Sequence, residues 1–329
     1  MNKGIQQLKI FFLPCLAVTG MLLLLSAGLS GQAVASDVSA LMNRPPNVPE
    51  EYVITPFGYF HPSCVFLLAE GNTLLADGRV QHPDSTIESA QVCDYPHYTS
   101  GGAIVAADAK ASEINPLVLN GWLESVSATT SASFGKIAAT WPVPPAPTSN
   151  DGQILYFFPG FEDSNNVISI VQPVLQWGYN GIFGGQYWLV SSWNCCISNG
   201  AYYSSPLDVS VGDTILGTIT PTCKPGNNYC AKWNIVSEDK TTGKKTTLSK
   251  SPADGQIWNW AFGAVSEDYG VVQCSDFPND SSLTFTVHLY DQNRNLITNP
   301  NWQGTQWSGG PPSCNYGWKI TKTKETVKY

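Results

Sequence analysis

Residues 136–178 read KIAATWPVPPAPTSNDGQILYFFPGFEDSNNVISIVQPVLQWG, and this stretch decides the fold class. Three apolar runs (KIAATWPV, ILYFFPGF and VISIVQPVLQW) are separated by clusters of Pro, Gly, Asn and Asp, the punctuation of strands joined by turns. Side chains two apart in a strand share a face. Ile168, Ile170, Gln172, Val174 and Gln176 therefore fall on one face of the third run. A buried carboxamide without partners costs on the order of a few kcal/mol. Two glutamines among aliphatic residues mark either hydrogen-bonded core amides or the floor of a cleft.

Working outward, strand-like runs recur at 134–141, 153–158, 167–177, 186–193, 207–211, 214–220, 231–238, 245–248, 263–273 and 283–290. Turn chemistry such as VGDT, TTGKK and FPNDSS lies between them. Short strands without a helical period predict an all-β fold, an antiparallel β-sandwich or jelly-roll spanning residues 116–298. Residues 36–115 form a smaller, Pro-dotted segment with β-like pieces YVITPFGYF, CVFLLAE and NTLLADGRVQ. Within it, 101–119 is Ala-rich and lacks aromatics, a connector with room for one short helix. Residues 299–329 are a Trp/Gly-rich extension whose KITKTKETVKY end is expected to fray.

Residues 1–35 read as a secretory signal: Lys3 and Lys9, an apolar run from Ile10 to Leu29, then the small residues Ala33 and Ala35 around Val34. The expectation is cleavage after Ala35, ahead of the alternative that the run is retained as an uncleaved signal anchor, and a secreted product, extracellular or periplasmic, with no membrane association after cleavage. Of nine cysteines, Cys15 lies in that leader. The remaining Cys64, Cys93, Cys195, Cys196, Cys223, Cys230, Cys274 and Cys314 form an even set, read as disulfides in an exported chain. Cys64 and Cys93 are placed to clip the N-terminal segment, and Cys223 and Cys230 bracket KPGNNY as a stapled turn. Adjacent Cys195 and Cys196 are expected to reach different partners. No Cys-x-x-Cys pair or clustered histidines point to a metal, and no cofactor is expected.

Charged residues make up 13 % of the chain, half the usual share of about 25 %. A net charge of −8 without a basic stripe excludes nucleic acid as the expected partner. No Gly-x-Ser-x-Gly elbow is present, and His61, His82, His97 and His288 are scattered. Glu162-Asp163 reads as a strand-end turn. Asp291, Asn293 and Asn295 read as a β-turn, because no distal bidentate carboxylate completes a calcium loop.

Taken in order, WPVPPAP, YFFPGFED, VLQWG, a Trp-rich strand, VSVGDTILGTI and WNIVSEDKTTGKKTTL resemble the glutamic peptidases (eqolisins) over 122–290. The resemblance implies a concanavalin-like sandwich and an acid endopeptidase acting on polypeptide, in which a glutamate activates water and a glutamine N–H steadies the oxyanion. Gln176 matches that glutamine. Aligning the family's acidic-acidic-aromatic strand end on Glu267-Asp268-Tyr269 puts Gly263 at the glutamate position, and aligning on Trp260 puts Asn259 there. Neither is a base. Strand parity puts Glu267 on the face of Gly263, about 13 Å further along. Glu267 is then the candidate base if the register brings it opposite Gln176, with Gln172 or Trp177 lining the cleft. Residues 37–115 lack the family propeptide's basic character, so an inhibitory prosegment is not expected. The alternative is an inactive sandwich that binds glycan or peptide on its concave face, with Trp258 and Trp260, alike in parity, as an aromatic platform.

Overall fold

The computed structural model describes residues 44–105, 122–164, 166–197, 200–227, 230–252, 256–306, 311 and 313–329. The leader-like 1–35 stretch and most of the 101–119 connector lie outside these residues. The N-terminal segment contributes β1 (Val53–Thr55), β2 (Gly58–Phe60), β3 (Val65–Leu67), β4 (Thr73–Leu74), β5 (Val80–Gln81), β6 (Ile87–Glu88), β7 (His97–Tyr98) and β8 (Ile104–Val105). Longer strands follow: β9 (Trp122–Thr129), β10 (Phe134–Pro142), β11 (Ile154–Asp163), β12 (Asn166–Trp177), β13 (Trp188–Ile197), β14 (Gly200–Tyr203), β15 (Leu207–Val209) and β16 (Thr214–Pro221). The chain ends with β17 (Trp233–Asp239), β18 (Lys245–Lys250), β19 (Trp260–Tyr269), β20 (Ser282–Asp291), β21 (Gln303–Gln306), β22 (Gly317–Ile320) and β23 (Lys324–Lys328). No α-helix occurs among the described residues, and none of their helices is long and apolar enough to cross a membrane.

These strands build an all-β sandwich. One large sheet runs β22-β23-β20-β10-β16-β17-β18-β4-β5-β6, and the facing sheet runs β21-β9-β19-β11-β12-β13-β14-β3, with β15 also on β13. The central pairings are antiparallel. A third, four-stranded sheet, β1-β2-β7-β8, belongs wholly to the N-terminal segment. That segment also lends β3 and β4, in parallel, to edge strands β14 and β18.

Burial follows the sequence pattern. In β16, Ile215, Gly217 and Ile219 point inward while their neighbours are partly exposed, the two-residue period of a strand with one covered face. In β11, all ten residues ILYFFPGFED are buried, because both its faces are covered. Leu155, Phe157 and Phe161 join Trp141, Ile219, Ile235 and Phe285 between the sheets. Ile154, Tyr156 and Phe158 pack instead against Tyr52, Ile54, Phe57, Tyr59 and Phe60 of the N-terminal segment. Each fully buried side chain of this kind contributes roughly 1.5–3 kcal/mol of transfer free energy.

Two expectations are corrected. The KETVK end does not fray. Strand β23 pairs with β20, with Glu325 and Val327 pointing inward and Lys324 exposed, so its lysine content reflects only the outer face of an alternating strand. Cys195 and Cys196 bond to each other across a cis peptide link, rather than to different partners. Their other possible partners are taken, since Cys64 pairs with Cys93, Cys223 with Cys230 and Cys274 with Cys314.

Candidate functional site

Three neighbouring strands bring Gln176 and Glu267 into one row. Tyr156 on β11 pairs with Gln176 on β12 and with Glu267 on β19. Direct cross-strand partners share a face, so all three side chains point away from the second large sheet. With strands about 4.8 Å apart, the backbones of Gln176 and Glu267 stand about 10 Å apart, and Tyr156 lies between them. Gln172, Val174 and Ile170 continue the same face along β12, as alternation predicts.

Gly263 is on the other side. Register shifts between Phe262 and Ala264 against β9, and between Phe158 and Gly160 against β11, mark a bulge in β19. A Cβ on Gly263 would meet Trp302 at 3.2 Å and Glu325 at 3.3 Å, both in the layer between the sheets. Val265 and Tyr269, which share the parity of Glu267, pack against the N-terminal segment instead. The expectation that Gly263 and Glu267 share a face is therefore corrected: one extra residue inverts parity between them.

Glu267 is 1 % exposed. The Tyr269 hydroxyl donates to its Oε1 at 2.6 Å, and its Oε2 has no hydrogen-bond partner. Burial pushes its carboxyl up to about 8, Asp268 adds to the rise, and Tyr269 and the neighbouring Trp122 indole oppose it. Below neutrality Glu267 is accordingly a neutral acid, unable to accept a proton while it stays covered. Gln176 is fully buried. Its Nε2 donates to the carbonyls of Gly178 (3.0 Å) and Phe183 (3.3 Å), and its Oε1 accepts from Asn180 Nδ2 at 3.4 Å. Asn180 Oδ1 in turn accepts the N–H groups of Ile182 and Phe183, folding the 178–187 loop back onto the glutamine. At Gly184, φ is +102° and a Cβ would stand 2.7 Å from Gln176 Nε2, so this approach requires glycine.

The N-terminal segment, from which no covering role was expected, lies over this row. Ile54 N–H donates to Asn180 O at 2.9 Å, and Tyr156 Oη donates to Ile54 O at 3.1 Å. Gln172 Nε2 donates to Pro56 O at 2.9 Å, leaving its Oε1 without a partner. The Tyr59 ring meets Tyr269 edge-on at 5.5 Å, and Arg44 lies over Tyr59 at 4.9 Å. Behind this contact His97 stacks on Phe60 at 4.5 Å, 2 % exposed, with no partner for either ring nitrogen. Burial holds its imidazole down at about 4.

The tryptophans divide differently from expectation. Trp177 is next to Gln176 in the strand, so it faces the opposite way and packs against Trp188 at 5.2 Å between the sheets, not in the cleft. Trp258 and Trp260 make no shared platform. Trp258 precedes β19, where strand alternation does not apply, and is 1 % exposed beside Trp233 and under Lys250 Nζ. Trp260, half-buried, packs on Phe262 toward the N-terminal segment. Glu162 faces that segment too, cross-strand from Ile170 and Trp260, with Oε1 unpartnered and its carboxyl raised by burial. Asp291 accepts the backbone N–H groups of Asn293 and Asn295 at 2.8 and 2.9 Å, as a turn does. Tyr156 was not singled out in the sequence. Its signal is its place in YFFPGF, one strand from each of the two candidates.

No protein-family model matches this chain, and no curated protein does. Among solved structures it is similar to scytalido-glutamic peptidase with a peptide-based transition state analog, at 16 % identity and a TM-score of 0.45, covering 63 % of this chain and 98 % of that one. SCP-B, of the eqolisin family, in a complex with the tripeptide Ala-Ile-His gives 16 %, 0.44, 63 % and 98 %. Aspergilloglutamic peptidase from Aspergillus niger gives 18 % identity, a TM-score of 0.38, 54 % and 98 %.

Proposed function

We propose that this chain is a secreted hydrolase of polypeptides, of the glutamine–glutamate type, whose reacting groups are covered by its own N-terminal segment. The observation that carries the reading is the row Glu267–Tyr156–Gln176 on one sheet face. A substrate carbonyl over Tyr156 is within side-chain reach of both flanks. Glu267 takes a proton from the attacking water, and the Gln176 N–H groups stabilise the negative charge that develops on the carbonyl oxygen; the tetrahedral adduct then collapses, its C–N bond breaking as Glu267 returns that proton to the departing amine nitrogen. Removing the cover relieves the burial that raises the Glu267 carboxyl and returns it toward the ordinary carboxylate range, where it is a base in mild acid. The same displacement breaks the contact of Ile54 N–H with the 178–187 loop and frees that loop to release the Gln176 amide.

Gly58 supplies a way to open the chain. Its φ is +114°, and a Cβ there would collide with the Tyr98 carbonyl, straining the β1–β2 hairpin. Hydrolysis of an acid-denatured protein is measured between pH 2 and 7 with the intact chain and with Gly58→Ala. The expected result is greater activity in Gly58→Ala, abolished by Glu267→Gln and by Gln176→Ala. Undiminished hydrolysis in both of those variants, or none from the folded Gly58→Ala chain at any pH, defeats the proposal. A glycan platform has less support, because Trp258 lies between the sheets.

A further inference from the structure

Residues 54–56 meet the sheet face through backbone hydrogen bonds as well as through the buried side chain of Ile54. Ile54 donates its N–H to Asn180 O, and the carbonyls of Ile54 and Pro56 accept from Tyr156 Oη and Gln172 Nε2. Strand β1 is extended through Thr55, and Pro56 opens the turn to β2, so one carbonyl is offered from the strand and the other from the turn that follows it. Two side-chain donors on adjacent strands are thus each matched to a main-chain carbonyl. Neither bond reads a side chain of the segment, so both are open to the main chain of another polypeptide.

We infer that residues 54–56 occupy the ligand path of the cleft as a built-in peptide, and that Tyr156 and Gln172 are the groups that hold the main-chain carbonyls of an extended polypeptide there. This rests on the proposed function for the identity of the cleft, and adds to it the binding mode and two positioning residues. Gln172 retains an unpartnered, buried Oε1 beside this path. A ligand donor that reaches that point satisfies it. An incoming peptide that carries such a donor therefore gains a bond that the resident segment lacks.

The test is binding, read without hydrolysis. A fluorescein-labelled synthetic peptide of residues 50–61 is titrated by anisotropy into the full-length chain, into Gly58→Ala and, as a second opening variant, into Phe57→Ala, with folding checked by circular dichroism. Both opened chains should bind it and the wild-type chain should bind at least tenfold more weakly, since its own segment competes. Tyr156→Phe or Gln172→Met, added to an opened chain, should each weaken binding about fivefold, the effect of one neutral hydrogen bond. No peptide binding by either opened variant while both stay folded overturns the inference, as does binding indifferent to both Tyr156→Phe and Gln172→Met. Retention of a neutral oligosaccharide in place of the peptide overturns it also. Peptide binding without hydrolysis leaves this inference standing and removes the hydrolase, while hydrolysis that excess peptide does not inhibit does the reverse.

Discussion

His97 in the N-terminal cover and Glu325 in the sandwich interior are both ionisable, both buried and both without hydrogen-bond partners, yet they answer pH in opposite senses. Burial lowers the His97 imidazole to about 4 and raises the Glu325 carboxyl to about 8. Between pH 6.5 and 4 the unfolded chain binds more protons at His97 than the folded one, so the cover loses stability as acid is added. Between pH 4.5 and 8 the folded chain holds more protons at Glu325, so the sandwich gains stability over the same descent. Asp268 and Glu124, raised to about 7 mainly by burial, act in the direction of Glu325. The lesson is that two bodies equally removed from water can be set against each other by one solvent variable. The cover that His97 loosens in acid lies over Glu267, whose raised carboxyl favours the covered state as pH falls from 8 toward 4.5, so the two groups oppose each other across that contact.

The strongest challenge to this contrast is catalytic. In the opened Gly58→Ala chain, Glu267→Gln should lower kcat/KM about a thousandfold and Gln176→Ala by about 10²–10³, measured on an acid-denatured protein. Equal activity in all three would make the covered face an ordinary core. Next in size, Trp258→Ala should cost the whole sandwich about 3–5 kcal/mol in denaturant unfolding, because its ring fills the layer between the sheets. The cover should respond locally instead. Breaking the Cys64–Cys93 bridge, which joins positions 29 apart in sequence, by double substitution to serine should remove about 3.5 kcal/mol of stabilisation. Hydrogen exchange should then rise in residues 52–60 and not in β16 or β17. The smallest effect sharpens the contrast itself. Stability of the sandwich should fall between pH 5 and 7 with a slope approaching 1.4 kcal/mol per pH unit for each carboxyl still protonated in the fold, and Glu325→Gln should flatten it. His97→Phe should lower the exchange of residues 52–60 in acid relative to the parent chain and leave the sandwich slope unchanged.

Much of the sandwich was legible because most of its strands alternate or are continuously apolar. ILYFFPGFED announces a strand covered on both faces, and TILGTITP one covered on a single face. The glutamine face of β12 was legible for the same reason. Strand β9, WLESVSAT, escaped because Glu124 and Ser125 are polar and yet buried, Glu124 being satisfied by the backbone N–H groups of Gly317 and Lys328. These are donors 193 and 204 residues away in sequence. The relation of Glu267 to Gln176 could not be read either. It depends on a bulge at Gly263 and on a shared neighbour, Tyr156, and both are facts of register. The cover was hidden from a composition argument, because its attachment uses backbone carbonyls and aromatic packing and not opposite charge.

Strands β3 and β4 are stitched in parallel onto the rims at β14 and β18, one on each large sheet. Wholesale loss of residues 44–105 would bare two ladders of unsatisfied amides, an invitation to edge-to-edge clumping. Safe exposure of the row beneath is thus a hinged affair: the hairpin at 53–60 swings out while β3 and β4, which both follow it in the chain, stay sewn to the two rims, so that the molecule uncovers itself without fraying at its borders.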